Sequence, residues 1–196
     1  MKIGIIDIET VGFLRQGGYI VEVGLVSLDT ETGQIKPVFS SVCQEEGMTA
    51  KHRTAWIFQN SDLTVEQVRA APMLPDLLPT IQQHIDRLDA TTAYNKPFDF
   101  NFLRNRGLII RREWSCPMRI ATNVCKIPKT GKRAGHRGYK WPTVEEAWSH
   151  FFPAAPYIEA HRGLDDALHE AEIVYELHKL SLMKMENAPT KGICNA

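Results

Sequence analysis

The chain opens with an apolar run, Ile3-Gly4-Ile5-Ile6, that closes on two carboxylates, Asp7 and Glu9. Successive side chains of a strand point to opposite faces, so residues 2 to 8 read as a buried strand with positions 7 and 9 side by side on one face. Residues 19 to 28 and 37 to 43 repeat the strand pattern, with Gly17-Gly18 and Thr30-Glu31-Thr32-Gly33 as short connections. Turns that short imply an antiparallel meander. The period then changes to that of helices. Ser61-Asp62-Leu63-Thr64 opens one in the manner of an N-cap, and Leu77, Leu78, Ile81, Ile85 and Leu88 carry the apolar stripe of a second. Thr91-Thr92-Ala93-Tyr94 predicts a short strand. It runs into Asn95-Lys96-Pro97-Phe98-Asp99, where Asn can cap and Pro can occupy the first turn of a helix ending at Gly107. A strand is predicted near 116 to 122, then a Gly- and Lys-rich loop, a helix from about 143 to 151 and a last helix from about 163 to 182. Residues 183 to 196 lack periodicity and predict a flexible tail after a domain spanning 1 to 182.

Composition narrows the class. A chain of 196 residues, 43% hydrophobic and 23% charged, can bury the core of one globular domain. No apolar run approaches the roughly 18 residues of a membrane span, and the first carboxylate comes too early for a signal peptide. A cytoplasmic protein with no membrane partner is therefore expected. Cys43, Cys116, Cys125 and Cys194 form no Cys-x-x-Cys pair, which fits reduced thiols, and no role is assigned to them. The formal charge is zero. A polyanionic partner would have to be held locally rather than by a basic surface.

Three acidic elements are candidates for chemistry. Two unpaired anions at Asp7 and Glu9 would repel, and a bound dication removes that cost; hard oxygen ligands suit magnesium or manganese. With nine Asp and fourteen Glu in the chain, roughly 0.6 Asp-x-Glu triplets are expected by chance, so the pair needs company. Asp99, in the first turn of its helix, is a second element, although the macrodipole alone favours an acid there. The third is His161-Arg162-Gly163-Leu164-Asp165-Asp166 at the start of the last helix. At 100° per residue, Asp165 shares a solvated face with His169, Glu172, Glu176 and Lys179. Asp166 shares an apolar one with Ile173, Leu177 and Leu180. An inward carboxylate must be paired or metal-bound, which makes Asp166 the better ligand.

In order and spacing, Asp7-x-Glu9, Asn95-x-x-x-Asp99 and His161-x4-Asp166 resemble the three motifs of the DEDDh 3′-to-5′ exonucleases, a family that includes proofreading subunits and the RNase T and oligoribonuclease types. The flanking phrases Asp7-Ile8-Glu9-Thr10, Ile20-Val21-Glu22-Val23-Gly24, Phe98-Asp99-Phe100-Asn101-Phe102-Leu103 and Asp165-Asp166-Ala167 extend the likeness from the first strand to about residue 180. Val11, Tyr94, Lys96 and Gly163 depart from the common pattern, at positions where Thr or Ser, His, a small residue and Ala are usual; none removes a ligand.

The resemblance implies an α/β, ribonuclease H-like fold, a five-stranded mixed sheet with helices on both faces. It implies hydrolysis of phosphodiesters at the 3′ end of single-stranded nucleic acid, with DNA as the expected substrate and nucleoside 5′-monophosphates as products. The alternatives are an RNA-processing exoribonuclease and an inert nucleic-acid-binding module on the same scaffold. Two divalent ions, Mg2+ or Mn2+, would be held by Asp7, Glu9, Asp99 and Asp166, with His161 as general base. Backbone at Thr10, Val11 and Gly12 would approach the terminal nucleotide, Phe13 and Leu14, just after the first motif, could wedge between terminal bases, and Asn95 would also face substrate. Lys126 to Lys140 carries six Lys or Arg (126, 129, 132, 133, 137, 140) and no acid, with Tyr139 and Trp141 close by. Lys132 and Arg133 are thereby candidates to hold the strand, although such loops are also common as solvated connections. Phe98 and Phe102, four apart on a helix, are expected in the core.

Overall fold

The structure, a computed structural model, describes residues 1–187. A meander comes first: β1 (Lys2–Val11), β2 (Tyr19–Asp29) and β3 (Ile35–Val42). Gly17 and Gly33 hold its turns with positive φ, a conformation that a Cβ disfavours. Four helices and a strand follow, α1 (Ile57–Asn60), α2 (Val65–Ala70), α3 (Leu74–Asp86), β4 (Ala90–Thr92) and α4 (Lys96–Asn105). The chain continues through β5 (Arg112–Trp114), α5 (Pro117–Cys125), α6 (Val144–Phe151), α7 (Gly163–Lys179) and β6 (Met185–Asn187). The sheet has the order β3-β2-β1-β4-β5-β6. β4 and β5 run parallel to β1, and β2, β3 and β6 pair antiparallel with their neighbours.

Alternation along β1 sorts the core into two faces. Ile3 and Ile5 pack with Met118 and Ala121 of α5, Trp148 of α6 and Ile173, Val174 and Leu177 of α7. Ile6 and Ile8 pack with Leu74, Ile81 and Ile85 of α3 and Phe100, Phe102 and Leu103 of α4. Asp7 and Glu9 share the parity of Ile3 and Ile5, so they continue toward the N-terminus of α7. The parallel strand β4 ends opposite Ile5 of β1, so Asp7 and Glu9 lie just past its carboxyl end, the usual place for a site in an open α/β sheet. Among the described residues no helix is long and apolar enough to cross a membrane.

Several expectations need correction. The sheet has six strands, not five. Residues 116 to 122 are not a strand but most of α5: Pro117 occupies its first turn and buries with Met118 and Ala121 at helical spacing. The strand lies just before it, at Arg112–Trp114. Ser61 does not start a helix; its Oγ donates to the carbonyl of Ile57 at 2.7 Å and closes α1. Thr64 caps α2 through a capping box with Gln67. Asn95 precedes α4 without a side-chain capping bond. The flexible tail is corrected at its start, because Met185–Asn187 pair with β5; residues 188 to 196 lie outside the described residues.

Lys96 explains that last strand. Its Nζ is 2.8 Å from buried Glu113 on β5 and 2.5 Å from Glu186 on β6, and Arg104 also pairs with Glu113. Removing a partner from a buried pair orphans a charge at about 3–5 kcal/mol. With Arg104 still in place, Lys96→Ala should cost about 2 kcal/mol. Urea unfolding of the variant against the parent checks this, and an unchanged midpoint would contradict it.

Candidate active site

Each predicted acid arrives by a separate route. Asp7 and Glu9 lie on β1 beside a register shift between Glu9 and Thr10, where the bulge ends the regular alternation. Asp99 enters from the first turn of α4 and is 3% exposed. Asp166 enters from the first turn of α7 and is 1% exposed. The close approach of α7 depends on two glycines. A Cβ on Gly24 would lie 2.1 Å from the carbonyl of Gly163, and one on Gly163 would lie 2.9 Å from the nitrogen of Gly24. Gly163 therefore stands where Ala is usual because this helix touches β2 backbone to backbone.

Arg162 fixes the same junction. It donates to both carboxylate oxygens of Glu22 at 2.9 Å and to Asp62 at 2.5 Å, and the Gly163 N–H adds a bond to Glu22 at 3.2 Å. The guanidinium is thus spent on those two acids. Asp166 instead accepts from the Tyr157 hydroxyl at 2.6 Å and the Arg162 N–H at 2.9 Å.

Glu9, His161 and Asp166 place their ligand atoms within 4.8 Å of one another. Asp7 belongs to the same charge cluster: burial first, then Glu170, Glu9, Asp99 and Asp166, push its carboxyl well above the ordinary range. Burial, Asp166, Glu22 and Glu159 raise Glu9 to about 9. Burial raises Asp99 to about 8, partly offset by its own N–H and that of Ile8. Asp166 is raised by burial against the opposing bonds from Tyr157 and Arg162. A group of carboxyls so short of positive charge, with hard oxygen donors and one imidazole, fits a pair of magnesium or manganese ions.

Three neighbours escaped the sequence reading. Glu170, 4% exposed, is raised by burial and by Asp99, Glu159 and Asp166, and accepts from the Tyr94 N–H at 3.3 Å. It lies one helical turn after Asp166, a spacing that could have revealed it. Glu159, raised to about 7 by burial and then Asp166, and Tyr157 lie in the irregular segment before α7, where no period marks them. Tyr157 also stacks on His169 at 3.9 Å, so the face assigned wholly to solvent is partly covered.

Among the other candidates, the Thr10 hydroxyl donates to the carbonyl of Gly12 at 3.1 Å, and Gly12 has φ 79°. Val11 is buried with Val21 and Ile57, which leaves only its backbone free to meet a ligand. Phe13 is 57% exposed, and Asn95 is exposed. Lys132 and Arg133 are exposed in the separate basic loop. Phe98 and Phe102 pack together at 5.2 Å in the core region, as expected.

The family model for exonucleases of the RNase T type matches residues 5–174, a span that holds all five polar residues. The chain belongs to this exonuclease family. The nuclease domain of 3′hExo, a DEDDh family member bound to rAMP, has a TM-score of 0.71 at 16% identity, covering 95% of this chain and 97% of that one. A full-length 3′-exonuclease has a TM-score of 0.69 at 14% identity, covering 98% and 68%. E. coli Exonuclease I in complex with a dT13 oligonucleotide has 0.64 at 14%, covering 90% and 40%. At such identities the likeness is one of fold, and the exonuclease-family fold here is ribonuclease H-like. No curated protein matches the chain by sequence.

Proposed function

We propose that this exonuclease-family chain is a metal-dependent 3′-to-5′ exonuclease acting on single-stranded nucleic acid. The observation that carries the reading is the convergence of Asp7, Glu9, Asp99, Asp166 and His161 from β1, α4 and the start of α7 onto one cation-poor cluster. Asp7, Glu9 and Asp166 would hold one ion, with Asp99 acting largely through water on the second. Two Mg2+ or Mn2+ ions, when bound, lower the pKa of the attacking water and match the charge developing on phosphate. His161 would take the proton of that water as general base. Tyr157 and the Arg162 N–H would hold the Asp166 carboxylate in its ligating orientation. Backbone at Thr10, Val11 and Gly12, the exposed ring of Phe13 and Asn95 would receive the terminal nucleotide, with Lys132 and Arg133 on the strand beyond it. A cytoplasmic setting suits the free thiols of Cys43, Cys116 and Cys125.

A DNA strand is the first substrate to test and RNA the comparison, because dT13 accompanies one fold neighbour and a histone mRNA stem-loop another. Incubation of matched 5′-labelled DNA and RNA oligonucleotides with Mg2+ or Mn2+ should give ladders shortened from the 3′ end and nucleoside 5′-monophosphates. Internal cleavage, or equal loss of a 3′-blocked strand, would overturn the reading.

His161 lies on a left-handed backbone, φ 53°, with its ring 4.6 Å from that of Trp56. Replacing it with Gln should slow hydrolysis roughly 10²- to 10⁴-fold, the range for loss of a general base. Mn2+ affinity measured by calorimetry should be nearly kept. Loss of metal binding in parallel with rate would make His161 a ligand instead.

A further inference from the structure

A well-formed cleft opens in the basic loop, apart from the carboxylates' own residues. It encloses about 490 Å³ and is lined by Lys129, Thr130, Arg133, Tyr139, Lys140 and Trp141. The loop folds back on itself to make it. Pro128 bridges Tyr139, the Lys140 N–H donates to the carbonyl of Ile127 at 3.0 Å, and Lys129 Nζ caps the carbonyl of Arg137 at 2.7 Å. Gly131, Gly135 and Gly138 take the positive-φ positions that the reversal requires.

The lining is chemically specific. Lys140 is neutralised by Glu146 at 2.6 Å. Arg133 forms no ion pair among the described residues, and residues 126 to 140 supply no acid. Trp141 is 62% exposed and Tyr139 39%. Two aromatic rings left in water beside an unengaged guanidinium make a surface for a base and a phosphate together, the combination that binds single strands.

The loop is also tied to the acids. The Tyr94 hydroxyl donates to the carbonyls of Pro142 and Thr143 at 3.1 Å each, while the N–H of the same residue donates to Glu170. Trp141, one residue before Pro142, is thereby anchored through a single residue to the carboxylate cluster.

We propose that this cleft is a second nucleotide subsite, in which Trp141 and Tyr139 stack a base of the single strand lying more than one nucleotide to the 5′ side of the scissile bond, beyond the reach of a dinucleotide, while Arg133 and Lys129 hold its phosphodiester. The proposal rests on the exonuclease reading for the identity of its occupant. A duplex is a poor fit, because its bases are already stacked on both faces. Bases of DNA and RNA share the π-face and the phosphate, so both sugars are accepted.

The test compares kcat/KM on a thymidine 20-mer with that on a thymidine dinucleotide, with uridine counterparts as the ribose arm. In Trp141→Ala the ratio of long to short should fall about tenfold, the scale of losing one base-aromatic stack, and Trp141→Phe should restore most of it. Arg133→Ala should lower the ratio and flatten the salt dependence of binding to the 20-mer by about one ion. A ratio unchanged in both alanine variants, or an equal loss on both substrates, overturns the subsite. Binding of the 20-mer in EDTA, followed by fluorescence anisotropy, separates the two claims. If the parent hydrolyses neither substrate yet binds the 20-mer about tenfold more tightly than Trp141→Ala, the cleft stands and the exonuclease reading fails. If hydrolysis proceeds and anisotropy is indifferent to Trp141, the cleft fails alone.

Discussion

Asp166→Asn should slow hydrolysis roughly 10³-fold, the order expected for removing a preorganised charge from a reacting centre, while Asp165→Asn should stay within about twofold of the parent. The two residues are adjacent and chemically identical. What separates them is the helix: Asp166 is 1% exposed over β1, with its two oxygens bound by Tyr157 and the Arg162 N–H. The Asp165 side chain is 47% exposed and lies 3.5 Å from His169 on the other flank. An amide at 166 keeps the shape and loses the anion, so it should fold as the parent does but bind a dication poorly. Steady-state rates on one labelled strand decide the matter. The reverse ranking would mean that α7 does not supply a ligand through Asp166.

The second large effect is at Asp7, where Asp7→Ala should abolish detectable hydrolysis and Asp7→Asn should make the metal-free protein more stable. Burial and four neighbouring carboxylates raise the Asp7 carboxyl, and Glu9 and Asp99 stand at about 9 and about 8. In the unfolded chain these groups titrate near 4. The folded form thus prefers them protonated. Their stabilisation is present in full below about pH 4 and is lost as pH rises through the folded values, with most of the loss complete near pH 9. In EDTA the melting temperature should therefore fall between pH 5 and pH 9. At pH 8, Asp7→Asn should raise it by about 2–4 °C, equivalent to ~1 kcal/mol for a chain of this size. Mg2+ or Mn2+ should reverse the trend in the parent, because a ligand that binds only the folded form stabilises it. A melting temperature in EDTA that rises with pH would contradict this picture of the cluster.

The parts of the fold legible in the sequence were those with a strong period. β1 to β3 show long apolar runs between glycine turns, and α7 has a stripe deep enough to give the phase of Asp166. The errors fell where elements are short or packed by distant partners. β5 and β6 are three residues each, too short for a pattern. β6 owes its place to the pairing of Glu186 with Lys96, 90 positions away in the chain. Segment 116 to 122 is too short and too mixed to show a period until Pro117 is recognised as a first helical turn, with Met118 and Ala121 buried at helical spacing.

The departures at Val11, Tyr94, Lys96 and Gly163 have structural explanations. One packs in the core, one pins the basic loop, one holds β6 and one admits the helix. Glu159 and Tyr157 could not be read at all. Their importance comes from where an irregular segment crosses the acids, and irregular backbone carries no periodicity.

The most direct assay is single-turnover release of the 3′-terminal nucleotide from a labelled single strand by the purified chain, parent and Asp7→Ala, in Mg2+ and in EDTA. Release by the parent in Mg2+ alone, as a nucleoside 5′-monophosphate and with none from Asp7→Ala, is the predicted result. Equal release from Asp7→Ala, or release by the parent that persists in EDTA, would contradict the assignment of this carboxylate cluster as a metal-dependent exonuclease centre.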